Sequence, residues 1–226
     1  MDKKYIMLGV GIAGTAILGV VGFYFLTPAV APTQTAQESV EMLPEMQSPG
    51  EKTFAVIGAE SSATYQLGEV LNGKPTQVIG TTSDIAGSVV ISMNNPSAVT
   101  FGEIKINART FKTDIANRDN NVRKLVLKAD EPANEFIVFK PTSVTGVPAT
   151  LEVDKEFPVT IIGDITIAGV TKSVTFTGNM IFGTNNAKVM ANTMLAYEEF
   201  GVFVPNFPFL ANVDKMVKLS VSLVAK

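Results

Sequence analysis

The sequence predicts an all-β, antiparallel fold with one short helix, preceded by a single transmembrane helix. The first of three observations behind this is the stretch Phe157 to Phe182. Phe157, Val159, Ile161, Ile165 and Ile167 alternate along its first half, and Val174, Phe176, Met180 and Phe182 along its second. That period of two, broken at Ala168-Gly169 where glycine tolerates the positive φ of a tight turn, describes a long hairpin with one apolar face. The second observation is that other segments alternate in the same way. The third is the apolar run Tyr5 to Leu26, which contains no charged residue and follows Lys3 and Lys4.

Taken in order, the chain divides into residues 1–26, 27–52 and 53–226. The apolar run is long enough to cross a ~30 Å hydrocarbon core at a rise of ~1.5 Å per residue. Lysines before it and Glu38, Glu41, Glu45 and Glu51 after it place the amino end in the cytoplasm and everything after Leu26 outside, in a single-pass, membrane-anchored arrangement. The rival reading is a signal peptide cleaved after Ala29-Val30-Ala31, but the run is long for that, and Pro32 would follow the cut. Gly11, Thr15 and Gly19 form a row of small residues of the kind that lets two membrane helices pack as a homodimer. Glycine is also common in such helices generally. Residues 27–52 carry Pro28, Pro32, Pro44 and Pro49 and no aromatic residue, which predicts a disordered linker.

From residue 53 onward the strands come quickly. Phe54 to Ile57 and Ser62 to Leu71 are the first, with Asn72-Gly73-Lys74-Pro75 as a turn. Val78 to Gly80 and Gly87 to Met93 follow, the latter ended by Asn94-Asn95-Pro96. Ile104, Ile106 and Ala108 alternate against Glu103, Lys105, Asn107 and Arg109, as in a half-buried antiparallel strand. The period then changes. Arg118 to Leu127, with Asn117 as cap and Asp119 in the first turn, reads as the one helix of the domain. Strands resume at Glu135–Val144 and Ala149–Val153, then the hairpin, Lys188–Tyr197 and Lys215–Ala225. An apolar-faced antiparallel sheet covers itself by closing into a barrel or by facing a second sheet, and spacing alone leaves both open.

Composition excludes several functions. With no cysteine and no histidine, the 226-residue chain has no Cys- or His-ligated zinc, no His-based triad, no cysteine nucleophile and no disulfide framework. A net charge of −3 argues against nucleic-acid binding. Carboxylates such as Asp164, Glu198 and Glu199 show no catalytic spacing, so no catalytic residue, metal site or cofactor is expected and the protein is not expected to be an enzyme.

Several pieces resemble one family in the right order. Gly163-Asp164-Ile165-Thr166-Ile167-Ala168-Gly169-Val170-Thr171-Lys172 looks like its "G-x-L-T-I-x-G-V-T-K" hairpin. Thr113 followed by Asn117-Arg118-Asp119 and Val122-Arg123 looks like its "T…x-R-D-x-x-L-R" passage from strand to helix. Phe136 to Phe139 occupies the place of a "yP-x-I-x-F" strand without its proline, and Glu199-Phe200-Gly201-Val202 resembles "D-F-G-I/V". The family is the YceI-like one, lipocalin-like polyisoprenoid-binding β-barrels of the bacterial envelope. The resemblance covers essentially everything after Lys52. Tyr197 stands where an arginine often precedes "D-F-G", and the histidines near the start of many members have no counterpart.

The resemblance implies a lipocalin-like barrel holding a long isoprenoid or quinone-type lipid. The apolar set Ile104, Ile106, Ile137, Phe139, Ile161, Phe176, Met180, Met190, Met194, Leu219 and Val221 is the candidate lining. Its methionines would adapt to a flexible tail, and a packed core is the plainer alternative. Phe200, Phe203, Phe207 and Phe209 lie in an apolar stretch that needs cover and are the candidate rim or lid. Arg118 and Asp119 are either a head-group clamp or a structural pair at the strand-to-helix corner. The alternative to lipid binding is a non-binding structural or interaction module of the cell envelope.

Overall fold

The computed structural model describes residues 30–40, 50–92, 94–205 and 210–226. The chain separates into two compact units, Met1–Val30 and Ala31–Lys226, and the second holds the fold described below. The expected membrane helix over 1–26 lies outside the described residues. Among those described, no helix is long and apolar enough to cross a membrane.

The hairpin forms as its pattern demands. Strand β9 (Glu156–Ile167) pairs with β10 (Val170–Phe182) from Ile167↔Val170 to Glu156↔Ile181. Ala168 and Gly169 turn between them with φ of 49° and 79°, both positive as a two-residue hairpin turn requires. Asn72-Gly73, with φ of 49° and 75°, turns β2 (Ser62–Leu71) into β3 (Lys74–Thr82) in the same way.

These strands belong to one antiparallel sheet that curls into a nearly closed barrel. After β3 and β2 come β13 (Met216–Ala225), β11 (Ala187–Ala196), β10, β9, β8 (Phe136–Thr145), β7 (Ile104–Asn107) and β4 (Ile85–Ala86), while β12 (Leu210–Val213) also pairs with β2. The seam is closed where Thr81 and Lys112 exchange backbone hydrogen bonds of 2.9 and 3.0 Å. The Thr82 and Thr110 hydroxyls meet at 2.6 Å beside it. A smaller sheet of β1 (Glu51–Ala55), β5 (Ser88–Ser92) and β6 (Asn95–Phe101) joins the end of β13, where Ala55 and Lys226 exchange two bonds of 2.9 Å. It contributes Phe54, Val89, Ile91 and Val99 to the main core.

Several expectations are corrected. The linker predicted over 27–52 is ordered in part: Thr35 caps a single turn, α1 (Ala36–Ser39), in a reciprocal capping box with Glu38, and Ala36 is fully buried. The prediction failed because composition reports only what a segment can bury by itself, and this one is held by polar groups of the barrel. The helix expected over 118–127 is a short α2 (Ala116–Asn121) that widens into a π-helical turn at Val122–Val126, and Ile115 rather than Asn117 is its cap. The wider turn buries Arg123, whose guanidinium donates to the Phe111 carbonyl. Asn94-Asn95-Pro96 follows the end of β5 as expected, and its last two residues open a further strand, β6. Residues 149–153 form no strand, and Val153 there is exposed.

A buried polar cluster holds the α1 segment. Arg109 and Glu135, 4% and 3% exposed, pair at 3.2 Å, and Arg109 also donates to the Ala129 carbonyl (2.5 Å) and the Ala31 carbonyl (3.2 Å). Glu135 accepts from the Thr33 amide (2.7 Å) and from its hydroxyl. Asn107 donates to the Gln34 carbonyl (2.9 Å), Asp84 accepts from the Ala36 amide (2.7 Å), and Lys105 reaches the Ser39 carbonyl (2.7 Å). Buried charges and amides need such partners, and the segment's backbone supplies them.

Candidate functional site

The alternation of each strand sends its apolar side chains inward, and where they fail to meet they leave a cavity of about 70 Å³. Its wall is almost wholly apolar. Ile104, Ile106, Ile137, Phe139, Ile161, Phe176, Leu219 and Val221, all expected there, line it. The Phe139 and Phe176 rings meet edge to face at 5.2 Å within this wall. Met180 is fully buried in the same core but does not border the void.

Met190 and Met194 are corrections: they are 51% and 54% exposed and face away from the interior. On β11 the inward positions are Ala187, Val189, Ala191 and Leu195. The deciding signal was in the sequence, since Lys188 and Asn192 share the methionines' parity and could not face an apolar interior. Val189 and Ala191 line the cavity instead. Pro141 lines it too, in step with Ile137 and Phe139 on β8, as do Phe101 and Phe111, which no single strand's periodicity reveals because they arrive from the small sheet and from a loop.

The four rim phenylalanines part company. Phe200 is not a rim residue: it is 2% exposed, packed with Ile165, Ile167, Leu195, Val202 and Val217 in a second core cluster. Phe203 is 67% exposed, while Phe207 and Phe209 lie outside the described residues.

Arg118 and Asp119 form part of a polar group beside Tyr65. Arg118 donates to Glu69 at 2.7 Å and to Asp114 at 2.5 Å. Asp119 accepts from both the amide and the hydroxyl of Thr113 at 2.7 Å, which ties the strand-to-helix corner. Tyr65 projects from β2 over Gly80, where a Cβ would come within 2.2 Å of its ring, and packs on Phe111 at 5.4 Å. Its hydroxyl is the one buried side-chain polar atom among the described residues without a hydrogen-bond partner. Burial pushes the Tyr65 phenol well above its ordinary value, and the Asp119 charge adds to this. The described residues hold no cluster of three or more His, Cys, Asp or Glu suited to a metal.

A family model described as a YceI-like domain matches residues 54–225. The chain belongs to the YceI-like family. Among solved structures it is similar to BcnA of Burkholderia cenocepacia, at 15% identity and a TM-score of 0.58, covering 76% of this chain and 99% of that one. It is also similar to a polyisoprenoid binding domain from Saccharophagus degradans implicated in plant cell wall breakdown, at 11% identity and a TM-score of 0.59, covering 76% and 97%. At such identities the likeness shows the fold. No curated protein matches the chain.

Within the YceI-like fold the motif-bearing residues have visible structural tasks. Glu199-Phe200-Gly201-Val202 ends a 3-10 turn (Tyr197–Phe200) with Gly201 in the left-handed region at φ 63°, which drives Phe200 and Val202 into the second cluster. Gly163, between Ile161 and Ile165 on β9, leaves room for the Phe139 ring, which a Cβ would meet at 2.7 Å. Gly163 thus serves the wall of the cavity and Gly201 the second cluster.

Proposed function

We propose that this protein binds the apolar chain of an isoprenoid or quinone-type lipid inside its barrel, exported and held at the membrane by its N-terminal segment. The observation that carries the reading is the apolar void, lined from both sides of the hairpin and from β7, β8, β11 and β13. A hydrocarbon entering such a space gains ~0.8 kcal/mol per buried CH₂ and needs little polar chemistry. The similarity to a protein described as a polyisoprenoid binding domain supports the ligand class. The uncharged run after Lys3 and Lys4 supports the export and the anchor.

The void is about half the ~150 Å³ that houses a benzene molecule in an engineered apolar cavity. A long tail therefore requires the interior to widen, and the Phe139–Phe176 pair is the pair of side chains whose rotation would join the void to the space around it. Inward residues Ile137, Phe139, Leu219 and Val221 are only half-buried, so the packing there is incomplete.

Organic extraction and mass spectrometry of the full chain, purified from its membranes, tests the proposal. A long-chain isoprenoid in the extract, or uptake of an added one with a rise in melting temperature, is the expected result. A chain that carries none and takes up none would leave the envelope-module reading in its place. A reporter fused after Lys226 should be active only outside the cytoplasm.

A further inference from the structure

Resting on the lipid-binding reading, we propose that the Tyr65 hydroxyl is the barrel's contact with the lipid's polar head, and that this head is a neutral oxygen, an alcohol or a carbonyl, rather than a phosphate. Buried hydroxyls are normally hydrogen-bonded, so one left alone in an otherwise satisfied interior calls for a partner that arrives from elsewhere. Tyr65 does not itself border the cavity, but residues on three sides of it do. Tyr65 lies between Ala63, which lines the cavity, and Leu67, with which it faces inward on β2. It pairs across the sheet with Leu219, another lining residue, and its ring rests on Phe111, a third. The absence of a side chain at Gly80 lets the ring fold against β3.

The surrounding charges decide the chemistry of the head. Three carboxylates, Glu69, Asp114 and Asp119, stand with two guanidiniums, Arg118 and Arg123. The guanidiniums are already engaged, Arg118 by Glu69 and Asp114, and Arg123 by the Phe111 carbonyl and, at 4.0 Å, by Asp119. A phosphate placed here would meet carboxylates without a free fork of donors, which is the arrangement that repels it. A neutral oxygen needs one donor, and the phenol, kept protonated by its burial, offers one.

The test compares the full chain with its Tyr65→Phe variant, which keeps the ring over Gly80 and against Phe111. Four probes of equal chain length are titrated: a headless isoprenoid hydrocarbon, a prenyl alcohol, a prenyl ketone and a prenyl monophosphate. In the parent, the alcohol, the ketone or both bind roughly three- to tenfold more tightly than the hydrocarbon, the ratio one neutral hydrogen bond supplies. Which of the two gains names the head. The variant loses that advantage while its affinity for the hydrocarbon is unchanged, and the monophosphate is weaker than the alcohol in both. A monophosphate that binds tightest overturns the inference, as does a variant that keeps the preference for the oxygenated probes. A variant that only melts higher, with all four affinities unchanged, shows a hydroxyl left unsatisfied with no ligand role and overturns it too. Hydrocarbon binding with no discrimination among heads sinks this inference but leaves the lipid-binding proposal standing. Failure of all four probes removes both.

Discussion

At the scale of single residues, the polar groups around Tyr65 separate structural from ligand-facing roles. Arg118 is largely buried and spans two carboxylates, of which Glu69 is buried and Asp114 exposed. Arg118→Ala strands the Glu69 charge away from water, and losing one partner of a buried pair costs about 3 kcal/mol. Urea denaturation should show a loss of that order, with hydrocarbon binding at permissive temperature unaltered. A variant as stable as the parent would return Arg118 to the role of a head-group clamp. Tyr65 makes a different prediction. Its folded pKa lies above its unfolded value of about 10, so the folded state holds the proton longer. The associated stability is complete below about pH 10 and is lost as the pH rises beyond it. Burial also raises the Tyr197 phenol, followed by Glu198, but less of that residue is covered. The slope of stability against pH between 10 and 11 should therefore be shallower in Tyr65→Phe than in the parent. Equal slopes would place the Tyr65 hydroxyl in contact with solvent.

At the scale of elements, the short N-terminal segment behaves as part of the barrel. Residues 31–40 lie ahead of the matched family domain, yet they complete the hydrogen bonding of Asn107, Arg109 and Glu135. Deleting residues 1–40 should lower stability by about 1–3 kcal/mol, because water then replaces the lost partners and offsets much of the loss. Unfolding midpoints of the two chains measure this, and equal midpoints would mean that the segment only rests on the barrel. The capping box adds a pH dependence. Hydrogen bonds from the Thr35 backbone and then its side chain hold the Glu38 carboxyl below its ordinary value. Its contribution is present above the unfolded pKa and fades as the pH falls through the folded one, so α1 should loosen first on acidification.

At the scale of the whole molecule, the question is whether the interior admits a guest. Met194 faces out and Leu219 faces in, half-buried beside the cavity. Leu219→Arg puts a long cation where its stem can follow the wall toward water, so the barrel should fold but lose its lipid. Met194→Lys adds a charge to an exposed site and should change neither stability nor lipid content by more than about 0.5 kcal/mol. Extraction and melting curves of the two variants, side by side, check both outcomes. A Leu219→Arg chain that keeps its lipid would show that the guest lies elsewhere.

The hairpin and the antiparallel class were legible in the sequence, and eight of the eleven residues expected to line the cavity do so. A period of two and a turn with two positive φ values are local properties, and β9 and β10 carry both without help from the rest of the chain. The same local rule, applied with the parity of Lys188 and Asn192, would have turned Met190 and Met194 outward. What remained was decided by contacts between distant segments. Phe111 and Phe101 reach the cavity because the seam and the small sheet bring them there. Residues 31–40 are ordered because buried groups from β7, the turn after it and the residue just before β8 need their backbone. Phe200 is core rather than rim because Gly201 turns the chain back onto the barrel's end. Tyr65 reads in the sequence as one more inward residue of a strand. Only the closed barrel, with Gly80 beneath its ring and every neighbouring donor and acceptor already paired, makes its hydroxyl solitary, because satisfaction of a buried polar group depends on everything that packs around it.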